Sequence, residues 1–439
     1  MESLKMVSAR SLVCVLVLVA VGCETTKDPF RPYYSGQLAQ SETILRDQVA
    51  KAEVENRTLL RLELASVLQA QGHYSEAAQL LMSADNRMEV LDYTSAPVDD
   101  VVAFAFAAES AWRPSPPERT MVNVQNMINF LGAGDLDGAA VEARRLGLLL
   151  NQPDVDEDDI YMNDFGWGLA GVILAANGDQ AEAEDAFAAI SAGGMAEVEG
   201  ASAEVSDFSE LRPPADLAGK GTILVVAQLG QAPVRREATY VLAGHDGQPH
   251  PLNLPAMQAR PAGAKAATLT LDGSPLGDIP IQLNLEEQLM RRFDDELALL
   301  VTAGALQAGI RSELIEEGVG DHDGKWGKAS QAVGEFFLAH VQEADVRCWS
   351  LLAGRYGAMR LDVEPGTHAL SVALAGSAAP LEFTVNVTAG ELALVNVVSG
   401  PSDGYRVYPK PQGGNYSGER ADDVLRFMEN ASLVPSPRP

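Results

Sequence analysis

Several things that would make a function easy to read are scarce in this sequence. Cysteine is rare, with three in 439 residues, Cys14, Cys23 and Cys348, so no disulfide framework organises the chain. Positive charge is rare too. Against 61 Asp and Glu stand only 32 Lys and Arg, a formal net charge of −29. A surface of that sign repels phosphate, which excludes nucleic acid as a partner and leaves no basic patch for an anionic membrane. The acidity itself reads as a means of solubility or of life in salty surroundings. Aromatics make up 6% of the chain. The zinc-protease spacing HExxH, the redox pair CxxC and the phosphate-loop signature GK[ST] do not occur, no GxSxG nucleophile elbow is expected, and no cofactor is expected. No apolar run reaches the roughly 20 residues that a membrane-spanning helix needs.

What is present begins at the N-terminus. Lys5 and Arg10 precede an apolar run, Leu12–Val21, of signal-peptide length. Ala20-Val21-Gly22-Cys23 closes it. Small residues before a cysteine resemble the lipobox of bacterial lipoproteins. That resemblance implies that residues 1–22 are removed, that Cys23 becomes an acylated N-terminus, and that the protein is exported and held to a membrane by lipid. Glu24 follows the cysteine where an inner-membrane retention signal would have Asp, which points to the outer membrane and a periplasm-facing body. Cys14 then leaves with the signal and Cys23 carries lipid, so Cys348 is the one remaining thiol and no intrachain disulfide is possible. Residues 23–37 hold two prolines and a Ser-Gly pair with no periodic apolar face. They read as a tether, with Tyr33 and Tyr34 as rings that meet the membrane interface.

Residues 38–192 carry the helical period. Leu59, Leu60, Leu64, Val67 and Leu68 form one apolar stripe, and Ala77, Leu80, Leu81 and Ala84 form another beyond Gly72-His73. The same device recurs at Gly134-Asp135 and Gly178-Asp179, where Gly lets the chain leave a helix and the polar neighbour starts the next one. The last hairpin resembles the tetratricopeptide repeat (TPR). Trp167 matches the family's first aromatic, Ala170-Gly171 its Leu-Gly pair and Leu174 its Tyr. Gly178 lies at the turn, and Ala183, Phe187 and Ile190 match the second-helix series. The hairpin around Gly72 has Arg61 where the first aromatic belongs. The turn glycines are 62 and 44 residues apart, against a family period of about 34, so the hairpins are degenerate and interrupted, for example by Ala111–Glu118.

Residues 193–219 contain Gly, Ser, Glu and Pro213-Pro214 and read as a linker. A mixed module at 220–400 follows. Strands are expected at Thr222–Leu229, Thr239–Ala243, Ala267–Leu271, Ile279–Leu285, Arg347–Leu352, Arg360–Val363, His368–Leu374, Leu381–Val387 and Leu392–Val398. Helices are expected at about 286–344, with the apolar Glu296–Ile310 packed on the sheet and Ala329–Ala344 beyond it. The Pro365-Gly366 turn resembles those of bacterial envelope β-sandwich modules. Residues 401–439 read as a tail with a short helix at Ala421–Glu429. The expected fold is therefore α+β and multidomain, with TPR-like helical hairpins followed by a mixed α/β module that ends in β-sandwich-like hairpins.

Chemistry is sparse. Asp154, Asp156 and Asp158 in DVDEDD are the residues that would ligate a cation. An EF-type loop needs Gly where Asp159 stands and Glu where Phe165 stands, so the stretch reads as a solvated acidic loop and no metal is expected. Asp321-His322-Asp323 and His245-Asp246-Gly247 read as turns. Cys348 beside Trp349 and Leu351 reads as a small core residue, not as a nucleophile served by His340. Trp167 and Phe187 read as packing residues.

The order of parts resembles a family of uncharacterised bacterial envelope lipoproteins, and that resemblance implies a cell-wall context. The expected function is non-enzymatic: a lipid-anchored scaffold or adaptor whose TPR-like helices bind envelope proteins. The alternative is an envelope enzyme or carbohydrate-binding module in the β-rich half, near Gly318–Lys325.

Overall fold

The computed structural model describes residues 28–94, 111–151, 163–193, 208–214, 217–243, 249–260, 263–294, 344–376, 380–399 and 405–409. Within them the chain is an α+β multidomain protein, helices first and sheets after. The helices are α1 (Phe30–Tyr34), α2 (Leu38–Lys51), α3 (Val54–Ala70), α4 (Tyr74–Thr94), α5 (Pro116–Ala133), α6 (Leu136–Leu150), α7 (Asp164–Asn177) and α8 (Gln180–Gly193). Residues 285–294 are also helical.

Local chemistry sets the helix ends. Ser115 and Glu118 form a capping box at the start of α5, and prolines occupy its first positions, where a missing N–H costs nothing. Asp135 caps α6 by accepting from the Gly138 N–H, and Asn163 caps α7 by accepting from the Gly166 N–H. Gly134 and Gly178 end α5 and α7 in the left-handed conformation, so the turns fall where the sequence places them. Each of the pairs α3–α4, α5–α6 and α7–α8 packs as a hairpin, and α4 on α5 and α6 on α7 continue the stack.

The strands are β1 (Gly221–Leu229), β2 (Val234–Ala243), β3 (Pro249–Gln258), β4 (Ala267–Leu271), β5 (Ser274–Asp278), β6 (Ile281–Asn284), β7 (Arg355–Val363), β8 (Gly366–Leu374), β9 (Leu381–Val387), β10 (Leu392–Ser399) and β11 (Tyr405–Pro409). One five-stranded sheet has the order β11-β10-β1-β7-β6, in which only β1 and β10 run parallel. A second sheet is β5-β4-β8-β9, antiparallel throughout, and β2–β3 is a separate hairpin.

Period-two burial on β1 explains the layering. Ile223, Val225, Ala227 and Leu229 share a core with Leu269, Leu370, Val372, Val385 and Val387 of the second sheet. Leu224 and Val226, pointing the other way, share a core with the helices. The molecule is thus helices on a five-stranded sheet on a four-stranded sheet.

Four expectations need correction. The tether does not extend to residue 37: α1 starts at Phe30, Pro32 is buried, and the Ser41 hydroxyl holds the Pro29 carbonyl at 2.8 Å. Tyr34 is partly buried, stacks under Arg260 and gives its hydroxyl to the Ser350 carbonyl, so it is a packing residue of the fold. The linker does not separate the halves. Its end, Phe208–Leu211, packs against Gly168 of α7, and Arg212 lies over the Phe187 ring. Arg347–Leu352 is not a strand, because side chains of the helical layer take its N–H groups.

Three strands escaped the sequence reading. β3 holds three prolines, β5 is five residues long, and β11 lies in the expected tail. Glu296–Ile310, the helix expected at Ala329–Ala344 (apart from Ala344, which is not helical) and the helix expected at Ala421–Glu429 lie outside the described residues.

Candidate functional site

The first helix of each hairpin, α3, α5 and α7, faces the five-stranded sheet, and the second, α4, α6 and α8, faces away. An adaptor surface would lie on one of these two faces, so the chemistry of each matters.

The first-helix face is closed by the chain itself. Its centre is a buried polar layer. Gln69 of α3 donates to Asn129 of α5 at 2.9 Å, and Gln228 of β1 donates to Gln69 and to Asn396 of β10, each at 2.9 Å. Gln125 of α5 donates to the Tyr356 hydroxyl of β7 at 3.0 Å. Amides suit this place because each both donates and accepts, so a single side chain can bond helix and sheet at once. The cavity beside them, lined by Tyr34, Ser66, Gln69, Gln125, Gln228 and Ser399, measures about 10 Å³. That is room for a single water and not for a metabolite.

Next to this layer, residues 345–353 cross the helices without regular structure. Glu118 of α5 accepts the Trp349 N–H at 2.7 Å. Glu63 of α3 accepts the Ser350 N–H at 2.6 Å and the Leu351 N–H at 3.0 Å, one on each oxygen. The Trp349 indole donates to Ser66 at 2.9 Å, and Arg260 and the Tyr34 hydroxyl donate to the Ser350 carbonyl. Both carboxylates are buried. Burial pushes the Glu63 carboxyl up to about 8, opposed by the two N–H donors and by Arg260, with Glu118 raising it further. Burial also pushes the Cys348 thiol up to about 11, so the thiolate is scarce at neutral pH and Cys348 is a packing residue.

The second-helix layer is stitched by arginines of α5 and α6. Asp85 of α4, almost fully buried, pairs with Arg119 at 2.7 Å and Arg145 at 2.5 Å, and Arg145 also reaches Glu89 and Glu142. Burial raises Glu142, while an amide bond from Asn123 and the nearby Arg145 lower it. Arg144 pairs with Asp179 and with Glu182 of α8, at 2.6 Å each. Between these ion pairs, Val141 is 51% and Leu148 74% exposed on α6, and Met82 of α4 is 38% exposed.

The repeat-signature residues come together on α7 and α8. A Cβ on Gly171 would stand 2.7 Å from the Phe187 ring, so the glycine is what lets the two helices touch. Leu174, Ala183 and Phe187 are buried, Trp167 is partly buried against Gly147 of α6, and Gly178 forms the turn. Cys23, Asp154, Asp156, Asp158, Asp321-His322-Asp323, His245-Asp246-Gly247, His340 and Gly318–Lys325 lie outside the described residues. Among the described residues no group of three His, Cys, Asp or Glu is placed to hold a metal, and no helix is long and apolar enough to cross a membrane.

The sequence reading missed Glu63 and Glu118. Ser115-Pro-Pro-Glu118 carries a legible capping-box signature, and Glu63 is a charge set inside an apolar stripe. Contrary to the expectation that no GxSxG elbow is present, Gly400–Gly404, GPSDG, has that spacing. Those five residues lie outside the described residues, but Ser399 before them pairs with Tyr405 after them in an antiparallel ladder. The element that follows them is strand β11, whereas the elbow needs a strand followed by a helix.

No family model, no curated protein and no solved structure matches the chain.

Proposed function

We propose that the protein is a lipid-anchored scaffold of the bacterial envelope, held through Cys23 to the outer membrane and facing the periplasm, that binds a protein partner through its TPR-like helical layer. The observation that carries this reading is the asymmetry of that layer. The α3, α5 and α7 face is filled by the chain's own sheet, whereas the α4, α6 and α8 face leaves Val141 and Leu148 in solvent. The partner surface that fits is apolar with a basic rim. Asp137, one turn before Val141, and Asp185 on α8 are exposed, and the chain carries a net charge of −29. Cell-wall assembly is the setting that the lipoprotein resemblance implies.

The test is crosslinking in intact envelopes followed by recovery of the full chain. Wild-type protein should capture a reproducible partner, and Val141→Asp with Leu148→Asp should lose it while melting at an unchanged temperature. An unchanged partner set in the double variant sinks the outer-face reading. Membrane fractionation of Cys23→Ser tests the anchor separately: the variant should move from the membrane pellet to the soluble fraction.

A further inference from the structure

The loop that crosses the first-helix face is held in the way a foreign peptide would be held. Three consecutive N–H groups, those of Trp349, Ser350 and Leu351, enter buried carboxylates of α3 and α5. The Ser350 carbonyl is taken by Arg260 and Tyr34. Trp349 is almost fully buried and gives its indole N–H to Ser66 of α3, and Leu351 and Leu352 are buried in the same core. Apart from that indole and Arg347, which reaches Asn56, the polar contacts between loop and helices are made by the loop's main chain. Recognition of main chain plus a few buried side chains is how a groove accepts an extended segment, and an aromatic followed by free N–H groups and aliphatic residues offers the same features.

We propose that residues 347–353 are an autoinhibitory plug, filling a peptide-binding groove on α3 and α5 that accepts an extended, aromatic-containing segment of another protein when the plug lifts. The groove is distinct from the outer face proposed above, since it uses Glu63, Ser66 and Glu118 and not Val141 or Leu148. A proline in place of Ser350 or Leu351 in the incoming segment is excluded, because Glu63 needs both N–H groups. The buried carboxylates also explain why the groove is not left empty. Without the loop's N–H groups, Glu63 Oε1 and Oε2 and Glu118 Oε1 would lose the donors that meet them in a dry interface.

The experiment uses the full chain and a fluorescent synthetic peptide of residues 345–353 with serine in place of Cys348. Trp349→Ala or Ser350→Pro in the protein loosens the plug and leaves the groove intact. Either variant should bind the peptide at least tenfold more tightly than wild type, and adding Glu63→Ala should remove the gain. A loosened variant that is folded but binds no better, or a gain that survives Glu63→Ala, overturns the proposal. A measurement on unmutated protein stands beside these. Amide hydrogen exchange at Ser350 and Leu351 should proceed through a local opening, faster than at Val225 in β1. Exchange of all three only on global unfolding also overturns it.

Discussion

Glu63 shows how a single buried residue couples the two halves of the molecule. Both of its oxygens accept N–H groups from the opposite half, which favours the carboxylate, while burial and Glu118 favour the acid. Its carboxyl is raised from 4.5 to about 8. The folded state therefore holds a proton that the unfolded chain has released between those values. The associated stability is full below about 4.5 and is lost as pH rises through about 8. Urea melts between pH 6 and 9 should show that decline, and Glu63→Gln should flatten it. Glu63→Ala removes the acceptors altogether and should cost about 1–3 kcal/mol for each orphaned N–H, read from the same melts. Gly171 makes a different demand. An added Cβ would stand 2.7 Å from the Phe187 ring, so Gly171→Ala should destabilise by about 1–3 kcal/mol. Phe187→Leu should recover part of that loss.

At the scale of elements, helix starts rest on single polar side chains. Asp135 accepts the Gly138 N–H at 2.8 Å, and Asp135→Ala should lower stability by about 1 kcal/mol in thermal melts. In the four-stranded sheet, His368 of β8 ties two turns together. Its Nδ1 faces the Asp272 carboxylate and its Nε2 faces the Glu364 carbonyl, each at 2.7 Å. Both partners accept, so the ring carries two protons in this arrangement. The bond to Asp272 and that to Glu364 raise His368, while the bonds from His368 and from the Ala369 N–H lower Asp272. The His368 contribution is present below the ordinary histidine value of 6.5 and is lost as pH rises through its raised value. The Asp272 contribution is present above the ordinary 3.8 and is lost as pH falls through its lowered value. The tie is therefore strongest between about pH 4 and 6.5. Following the His368 ring proton by NMR should give a titration above 6.5 that Asp272→Asn moves downward. A midpoint unmoved by that substitution would show that the two residues are not coupled.

At the scale of the molecule, the helical layer and the five-stranded sheet share one continuous core. Leu224, Val226, Tyr356 and Leu394 share that core with residues of α2 to α8, and the Gln69–Gln228–Asn396 layer locks the same interface. Calorimetry should therefore show one cooperative transition for both layers, and two resolved transitions would refute the shared core. A chain cut after residue 214 would leave the faces of α3, α5 and α7 bare and Glu63 without its N–H partners. It should aggregate or lose cooperative melting, as judged by light scattering and circular dichroism.

The sequence by itself determined what depends on near neighbours. The helix stripes, the turns at Gly72, Gly134 and Gly178, the caps beside them and most of the alternating strands are set by contacts a few residues apart, and they were legible at that range. The α+β order followed from them. The acidic balance was legible too, because charge adds up along the chain whatever its fold. Only the tertiary structure decided that Pro29–Gln37 docks and does not trail, that the first-helix face is filled, and that residues 347–353 lie among helices and not in a sheet. Each of those outcomes rests on partners distant in sequence, Tyr34 with Ser350, Glu63 with Leu351, Gln125 with Tyr356. The period of a segment reports which residues want burial. It carries no record of which distant surface buries them.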